Sequence, residues 1–144
     1  MVYLPLLLDL ADPGEQGGET VLVVEDDPDT LSVVVDCLQE EGFTVTTATN
    51  GVEALERACH CVPDAIVLDL CLPVMSGPEF LQAWRRTAPT QPVPIIAMSG
   101  LNRDVSADEL GVQAWLPKPF AVDALIHAVA AAVSRGGVHH APLR

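Results

Sequence analysis

Residues 20–29 read Thr-Val-Leu-Val-Val-Glu-Asp-Asp-Pro-Asp, and this stretch decides the fold. Residues 20–25 form a short apolar run that ends in an acid, which is typical of a strand buried on both faces of a parallel sheet. Asp27 followed by Pro28 predicts a helix N-cap with a proline in the first helical position. A buried strand that leads directly into a helix indicates the first unit of an α/β protein.

The alternation of short apolar runs and amphipathic segments continues along the chain. It predicts strands at 20–25, 43–47, 65–69, 92–98 and 112–116, and helices at 28–41, 51–61, 78–87, 103–110 and 121–134. Because right-handed crossovers place helices on both faces of a parallel sheet, the pattern predicts a doubly wound α/β fold with five strands and five helices. We expect residues 1–18 to be a tail and linker, 19–135 to be one domain, and 136–144 to be a second tail.

The charge balance argues against several classes of partner. The chain has 144 residues, with 20 Asp and Glu against 7 Lys and Arg, and its formal net charge is −13. Such a surface repels phosphate backbones and anionic lipid, so we expect neither nucleic acid nor a membrane as a partner. The four cysteines lack the setting of a disulfide framework, and Cys59-His60-Cys61 lacks zinc-ligand spacing. A reduced, cytoplasmic location is therefore expected.

Polar side chains follow four of the predicted strands at the point where each strand ends. Acids occupy 25–27 after the first strand, Asp69 ends the third, Ser99 ends the fourth, and Lys118 follows the fifth. In open α/β sheets the ligand site lies outside the carboxyl ends of the strands, so these groups are expected to converge there if the strands are neighbours.

The chemistry of such a pocket follows from its parts. Carboxylates without His or Cys suit Mg²⁺, while a lysine ammonium and a serine hydroxyl can hold phosphoryl oxygens. A carboxylate can itself accept a phosphoryl group. The sequence therefore predicts metal-assisted phosphoryl transfer onto a carboxylate.

These motifs resemble the receiver domains of two-component response regulators over residues 19–135. The segments that carry the resemblance are Val23–Pro28, Val67–Asp69, Leu72-Pro73, Met75–Gly77, Met98–Gly100 and Lys118–Phe120. The resemblance implies a flavodoxin-like sheet with strand order 2-1-3-4-5. It also implies a phosphoacceptor that assists its own phosphorylation and dephosphorylation rather than an enzyme.

The resemblance also implies a role for each site residue. Asp69 would be the phosphoacceptor, and Glu25 and Asp26 would bind Mg²⁺ together with Asp69 and the backbone carbonyl of Cys71. Lys118 would contact the phosphoryl group, and its peptide bond to Pro119 is expected to be cis.

Two further positions match the conformational switch of the family, Ser99 and Trp115. Ser or Thr is usual at the first position, whereas Phe or Tyr is more usual at the second, so Trp115 departs from the pattern. The implied partners are a histidine kinase or phosphotransfer domain as donor and a downstream output protein or domain. A homodimer is left open.

Three alternative functions can be compared with the residues. A haloacid-dehalogenase-type hydrolase needs a second acid two residues after its nucleophile, where this chain has Cys71. A flavodoxin-like cofactor binder needs a hydroxyl-rich or Gly-rich first loop, but here that loop is the acidic 25–27. A degenerate receiver that acts only as a docking module is the remaining alternative, and the intact Asp69, Ser99 and Lys118 argue against it.

The first residues suggest an origin for the chain. Residues 2–5, Val-Tyr-Leu-Pro, precede an apolar segment and a Gly-rich linker, and they resemble the closing strand of a histidine-kinase ATPase domain. This resemblance implies that the chain is the C-terminal receiver of a hybrid histidine kinase. A stand-alone receiver with an unstructured tail is the alternative.

Overall fold

Five parallel strands form the central sheet. The computed structural model describes residues 18–87, 92–100 and 111–136. The strands are β1 (Thr20–Val24), β2 (Thr44–Ala48), β3 (Ala65–Asp69), β4 (Ile95–Ser99) and β5 (Ala114–Pro117), and the helices are α1 (Pro28–Glu40), α2 (Gly51–His60), α3 (Gly77–Thr87) and α4 (Val122–Gly136). The order is β2-β1-β3-β4-β5, and every neighbouring pair is parallel. The predicted flavodoxin-like, doubly wound fold is confirmed.

The elements differ from the predictions mainly at their ends. The fourth predicted helix, at 103–110, lies outside the described residues. Strand β4 begins at Ile95 and not at Pro92, because Pro92 and Pro94 have no N–H to donate to a neighbouring strand. Helix α3 begins at Gly77 because Ser76 caps it: Ser76 Oγ accepts a hydrogen bond from Glu79 N–H at 3.2 Å.

The core lies on both faces of the sheet. Alternate residues of β1, β3 and β4 point to opposite faces, and all of them except the partly buried Thr20 are buried. One face packs on α2 and α3, with Ala54, Phe80 and Trp84 in its cluster. The other packs on α1 and α4, with Leu38 and Val129 in its cluster. Burial on both faces explains why these strands are continuous apolar runs.

Local capping fixes where the first two helices start. Asp27 Oδ2 accepts from Thr30 N–H at 3.0 Å, and Asn50 Oδ1 accepts from Glu53 N–H at 2.9 Å. The Asp27 cap was predicted from the sequence, and each cap satisfies a backbone donor at a helix N-terminus. No helix within the described ranges is long and apolar enough to cross a membrane.

Candidate functional site

Three acids meet at the carboxyl end of the sheet. The register pairs Val24 with Leu68, so β1 and β3 end side by side. This places Glu25, Asp26 and Asp69 together, with one carboxylate oxygen of each within 4.8 Å of the others. Glu25 and Asp69 are 1% and 3% exposed, whereas Asp26 is exposed. Across the described parts of the chain, these acids are the one such group of three or more potential metal ligands.

Lys118 supplies a positive charge to this cluster. Its Nζ lies 2.7 Å from Glu25 Oε1 and 3.3 Å from Asp69 Oδ2. Lys118 N–H donates to the Ser99 carbonyl oxygen at 2.8 Å, which ties the end of β5 to the end of β4. The peptide bond from Lys118 to Pro119 is cis, as predicted. One ammonium group therefore bridges two buried carboxylates.

Burial and ion pairing shift the pKa values of the charged groups in opposite directions. Burial raises the pKa of Glu25, and the hydrogen bond from Lys118 offsets only part of that rise. Burial by itself would lower the pKa of Lys118, but the hydrogen bond to Glu25 and the charge of Asp69 outweigh it and raise this pKa. Lys118 is thus held as a cation, while its hydrogen bond does not fully offset the effect of burial on Glu25.

The third acid after β1, Asp27, belongs to the helix and not to the cluster. Its Oδ2 accepts from both the N–H and the hydroxyl of Thr30, at 3.0 and 2.6 Å. These hydrogen bonds lower the pKa of Asp27. Its own N–H donates to Glu25 Oε2 at 3.1 Å, so Asp27 both starts α1 and orients Glu25.

Cys71 lies directly beside the predicted phosphoacceptor. Its N–H donates to Asp69 Oδ1 at 3.1 Å, and its side chain is exposed. One carboxylate oxygen of Asp69 is thus held by the backbone of the following loop, and the other faces Lys118. This arrangement fixes the orientation of the carboxylate.

Ser99 and Trp115 lie on the adjacent strands β4 and β5. Ser99 is 4% exposed and ends β4, where it is in register with Pro117. Trp115 is half-buried in β5 and in register with Ala97. The two proposed switch residues therefore lie on adjacent strands.

The family model for the response regulator receiver domain matches residues 21–130. The chain belongs to this family. The family prediction made from the motifs is confirmed.

Similar proteins include both curated relatives and solved structures. The transcriptional regulatory protein PrrA of Mycobacterium leprae is 40% identical over 118 residues, which are 81% of this chain and 51% of PrrA. The receiver domain of a Francisella response regulator is 30% identical, with a TM-score of 0.73, over 81% of this chain and 98% of that chain. This receiver spans about half the length of the curated relatives it matches.

A second similar structure bears on the metal. It is the receiver domain of a sensor histidine kinase from Pseudomonas aeruginosa, with a magnesium ion coordinated in its active site cleft. It is 30% identical, with a TM-score of 0.73, over 81% of this chain and 98% of that chain. The donor set of this receiver fits such an ion, because three carboxylates gathered at one edge offer the hard oxygen ligands that Mg²⁺ prefers.

An apolar groove beside Lys118 was not predicted from the sequence. The groove has a volume of about 490 Å³ and runs between α1 and the segment that follows β5. Its apolar lining includes Val33, Phe120 and Val122, and Val33 is 51% exposed. The sequence indicated only a valine, Val33, on the outer face of the acidic helix α1. The groove itself forms because the fold brings Phe120 against that helix.

Proposed function

We propose that this receiver accepts a phosphoryl group on Asp69 from a phosphohistidine of a histidine kinase or phosphotransfer domain. The phosphorylated form then changes conformation and controls an output protein or domain. The observation that carries the proposal is Lys118, whose ammonium bridges the buried Glu25 and Asp69 beside Asp26.

Each residue has a defined part in the transfer. An oxygen of Asp69 attacks the phosphorus, a P–O bond forms, and the P–N bond to the donor imidazole breaks. The donor ring, protonated on its other nitrogen, leaves as neutral imidazole. Glu25, Asp26, Asp69 and the backbone carbonyl of Cys71 would hold Mg²⁺, which supplies positive charge to the phosphoryl oxygens when bound. The Cys71 N–H keeps Asp69 oriented for attack.

Lys118 and Ser99 act on the product. The Lys118 ammonium binds one phosphoryl oxygen as a point charge, and the Ser99 hydroxyl binds another. To bind this oxygen the Ser99 hydroxyl moves toward the phosphoryl group, and its movement leaves space next to β5. Since serine is smaller than threonine, the ring of Trp115 turns inward there and transmits the change to the surface.

The groove between α1 and Phe120 is the proposed approach of the donor. It is lined by Lys118 itself, so a protein that carries a phosphohistidine to Asp69 would lie next to it. Its exposed valine Val33 offers apolar area to a helix, and Asp29 at its rim favours a basic partner. Val33→Glu should leave phosphorylation by a small-molecule donor unchanged and slow transfer from a histidine kinase.

The boundaries and parent of the domain are also proposals. We propose that residues 19–135 form the receiver unit, and the family match over 21–130 supports this. A hybrid histidine kinase is the proposed parent, with a cytoplasmic location and no contact of this domain with nucleic acid. The formal charge of −13 supports the last point.

Acetyl phosphate with Mg²⁺ tests the main proposal. Intact-mass spectrometry should show one added phosphoryl group on the wild type and none on Asp69→Asn. Equal phosphorylation of the two proteins would overturn the assignment of Asp69. A wild type that takes no phosphoryl group would favour the docking-module alternative.

A further inference from the structure

The N-terminus of α2 contacts the loop that follows Asp69. Gly51 N–H donates to the Met75 carbonyl oxygen at 3.2 Å. A β-carbon at Gly51 would lie 2.6 Å from that oxygen and 2.8 Å from both Cβ and Cγ of Met75. These distances are far shorter than a normal van der Waals contact of ~3.5–4.0 Å between carbon atoms. The two backbones can therefore approach this closely only if residue 51 has no side chain.

Backbone conformation does not explain this glycine. The described glycines with positive φ are Gly18, Gly42 and Gly111, and Gly51 is not among them. An alanine could adopt its backbone angles, and in a helix alanine is more favourable than glycine by ~1 kcal/mol. The contact with Met75 is thus the reason that a glycine is required.

The contacted loop is folded back onto the phosphoacceptor. Gly77 N–H donates to the Leu70 carbonyl oxygen at 3.2 Å, which closes the loop at its base. A β-carbon at Gly77 would lie 2.6 Å from Leu70 Cα and 2.9 Å from the Asp69 carbonyl oxygen. Residues 70–77 therefore form a closed loop that carries Cys71, and Met75 lies near its tip.

The tip of this loop is strained. Met75 N–H donates to the Pro73 carbonyl oxygen at 2.7 Å, and Val74 between them has a φ of 67°. A three-residue turn with positive φ is a rare, strained form of the γ-turn, and a β-branched residue makes it more costly. The Val74 side chain is 81% exposed, so its own packing cannot hold this conformation. Met75, the residue after Val74, contacts Gly51, and this contact is in a position to hold the strained turn.

Helix α2 provides a firm support for this contact. Asn50 Oδ1 accepts from Glu53 N–H at 2.9 Å, and Glu53 Oε1 accepts from Thr49 N–H at 2.7 Å. These two hydrogen bonds form a reciprocal cap that fixes the first turn of the helix. The Gly51 N–H is one of the donors that a helix N-terminus leaves without an intrahelical partner, and here the loop accepts it.

We propose that Gly51 is a positioning residue for the phosphorylation site. It acts through Met75 on the loop 70–77, and so sets the place of the Cys71 backbone relative to Asp69. The proposal rests on the proposed function, because it assigns Gly51 a role in holding the metal-binding geometry at that site.

Gly51→Ala tests the proposal. The added methyl group must displace Met75, so the Mg²⁺ affinity measured by calorimetry should fall by ~10-fold, as is typical when a residue that supports metal ligands is changed. Phosphorylation by acetyl phosphate should be slow at low Mg²⁺ and should recover in excess Mg²⁺. Gly100→Ala is the matched control, since its methyl group would lie 3.7 Å from Lys118 Cβ, an ordinary contact at the same edge of the sheet. It should bind Mg²⁺ as the wild type does.

Two further variants separate positioning from a general loss of stability. Val129→Ala destabilises the core on the opposite face of the sheet and should leave Mg²⁺ affinity unchanged. Val74→Gly relaxes the strained turn and should make the loss caused by Gly51→Ala smaller in the double variant than in the single one. This relaxed background also supplies the comparison if Gly51→Ala alone does not fold.

The outcomes distinguish this proposal from the proposed function. Wild-type Mg²⁺ affinity in Gly51→Ala, or an equal loss in Val129→Ala, would overturn the positioning role alone. Unchanged Mg²⁺ affinity in Asp26→Ala would overturn the metal site itself.

Discussion

Replacing Lys118 with Met should destabilise the metal-free receiver and strengthen its binding of Mg²⁺. The ammonium lies 2.7 Å from Glu25 Oε1 and 3.3 Å from Asp69 Oδ2, and both carboxylates are buried. Methionine keeps most of the length and apolar area of the side chain but removes the charge. The two acids then face each other, with Asp26 nearby, without a compensating cation.

The size of the effect follows from burial. Removing one partner of a fully buried ion pair costs ~3–5 kcal/mol, because the other charge is left in a poorly solvated place. The Lys118 side chain is 25% exposed, so water reaches the site and reduces this cost. We expect a loss of about 2 kcal/mol in the free energy of unfolding at neutral pH. Mg²⁺ should bind several-fold more tightly, since the competing cation is gone.

Urea denaturation without and with Mg²⁺ measures both effects. Arg57→Met is the control, because it breaks an ion pair with Glu53 in which the side chains are 51% and 33% exposed. This exposed helical pair should contribute only ~0.3–0.5 kcal/mol. If Lys118→Met cost no more than Arg57→Met, the bridge between the buried acids would not exist in the metal-free protein. Weaker Mg²⁺ binding would contradict the electrostatic argument.

Three further predictions concern other parts of the molecule. Hydrogen bonds from the Thr49 backbone and Arg57 lower the pKa of Glu53 below its ordinary value of 4.5. Glu53→Ala should therefore destabilise the protein at neutral pH. In urea titrations the difference from wild type should disappear as the pH falls through the folded-state pKa of Glu53, because this stabilisation exists only while the carboxylate is charged. Beryllofluoride with Mg²⁺ should change the fluorescence of Trp115 in a Trp84→Phe background, and an unchanged spectrum would mean that the ring does not move. Deleting residues 1–17 should leave the thermal midpoint and phosphorylation nearly unchanged, since the described core clusters extend from Val21 to Val133; a loss beyond about 2 kcal/mol would refute the tail and linker prediction.

Local sequence signals predicted the parts of this fold that depend on neighbouring residues. Strand β3 has the predicted bounds, 65–69, because it is a continuous apolar run between a proline and an acid. The predicted cap Asp27 was also correct, since a cap needs only a side-chain oxygen and a donor three residues later. The strand order came from the family resemblance and not from the pattern.

Contacts between distant segments could not be predicted in this way. The sequence did not indicate that Lys118 pairs with Glu25, which lies closer to its ammonium group than Asp69 does. This pairing depends on how deeply Glu25, the acid that follows β1, is buried. The composition of the sequence does not reveal that burial. The close approach of Gly51 to Met75 could not be predicted for the same reason, because a glycine at the first position of an amphipathic helix is equally consistent with an ordinary helix start.

The order of the strands determines which charges meet. Strand β3 lies between β1 and β4, so Asp69 has the acids of β1 on one side and the end of β4 on the other. Lys118 reaches this centre from β5, two strands away from β3, because its N–H is bound to the Ser99 carbonyl at the end of the intervening strand. One backbone hydrogen bond therefore joins Ser99, the hydroxyl residue of the proposed switch, to Lys118, the cation of the site. Any backbone shift of Ser99 that accompanies phosphorylation would be passed to Lys118 through this hydrogen bond, and this links the proposed phosphorylation site to the edge strand that carries Trp115.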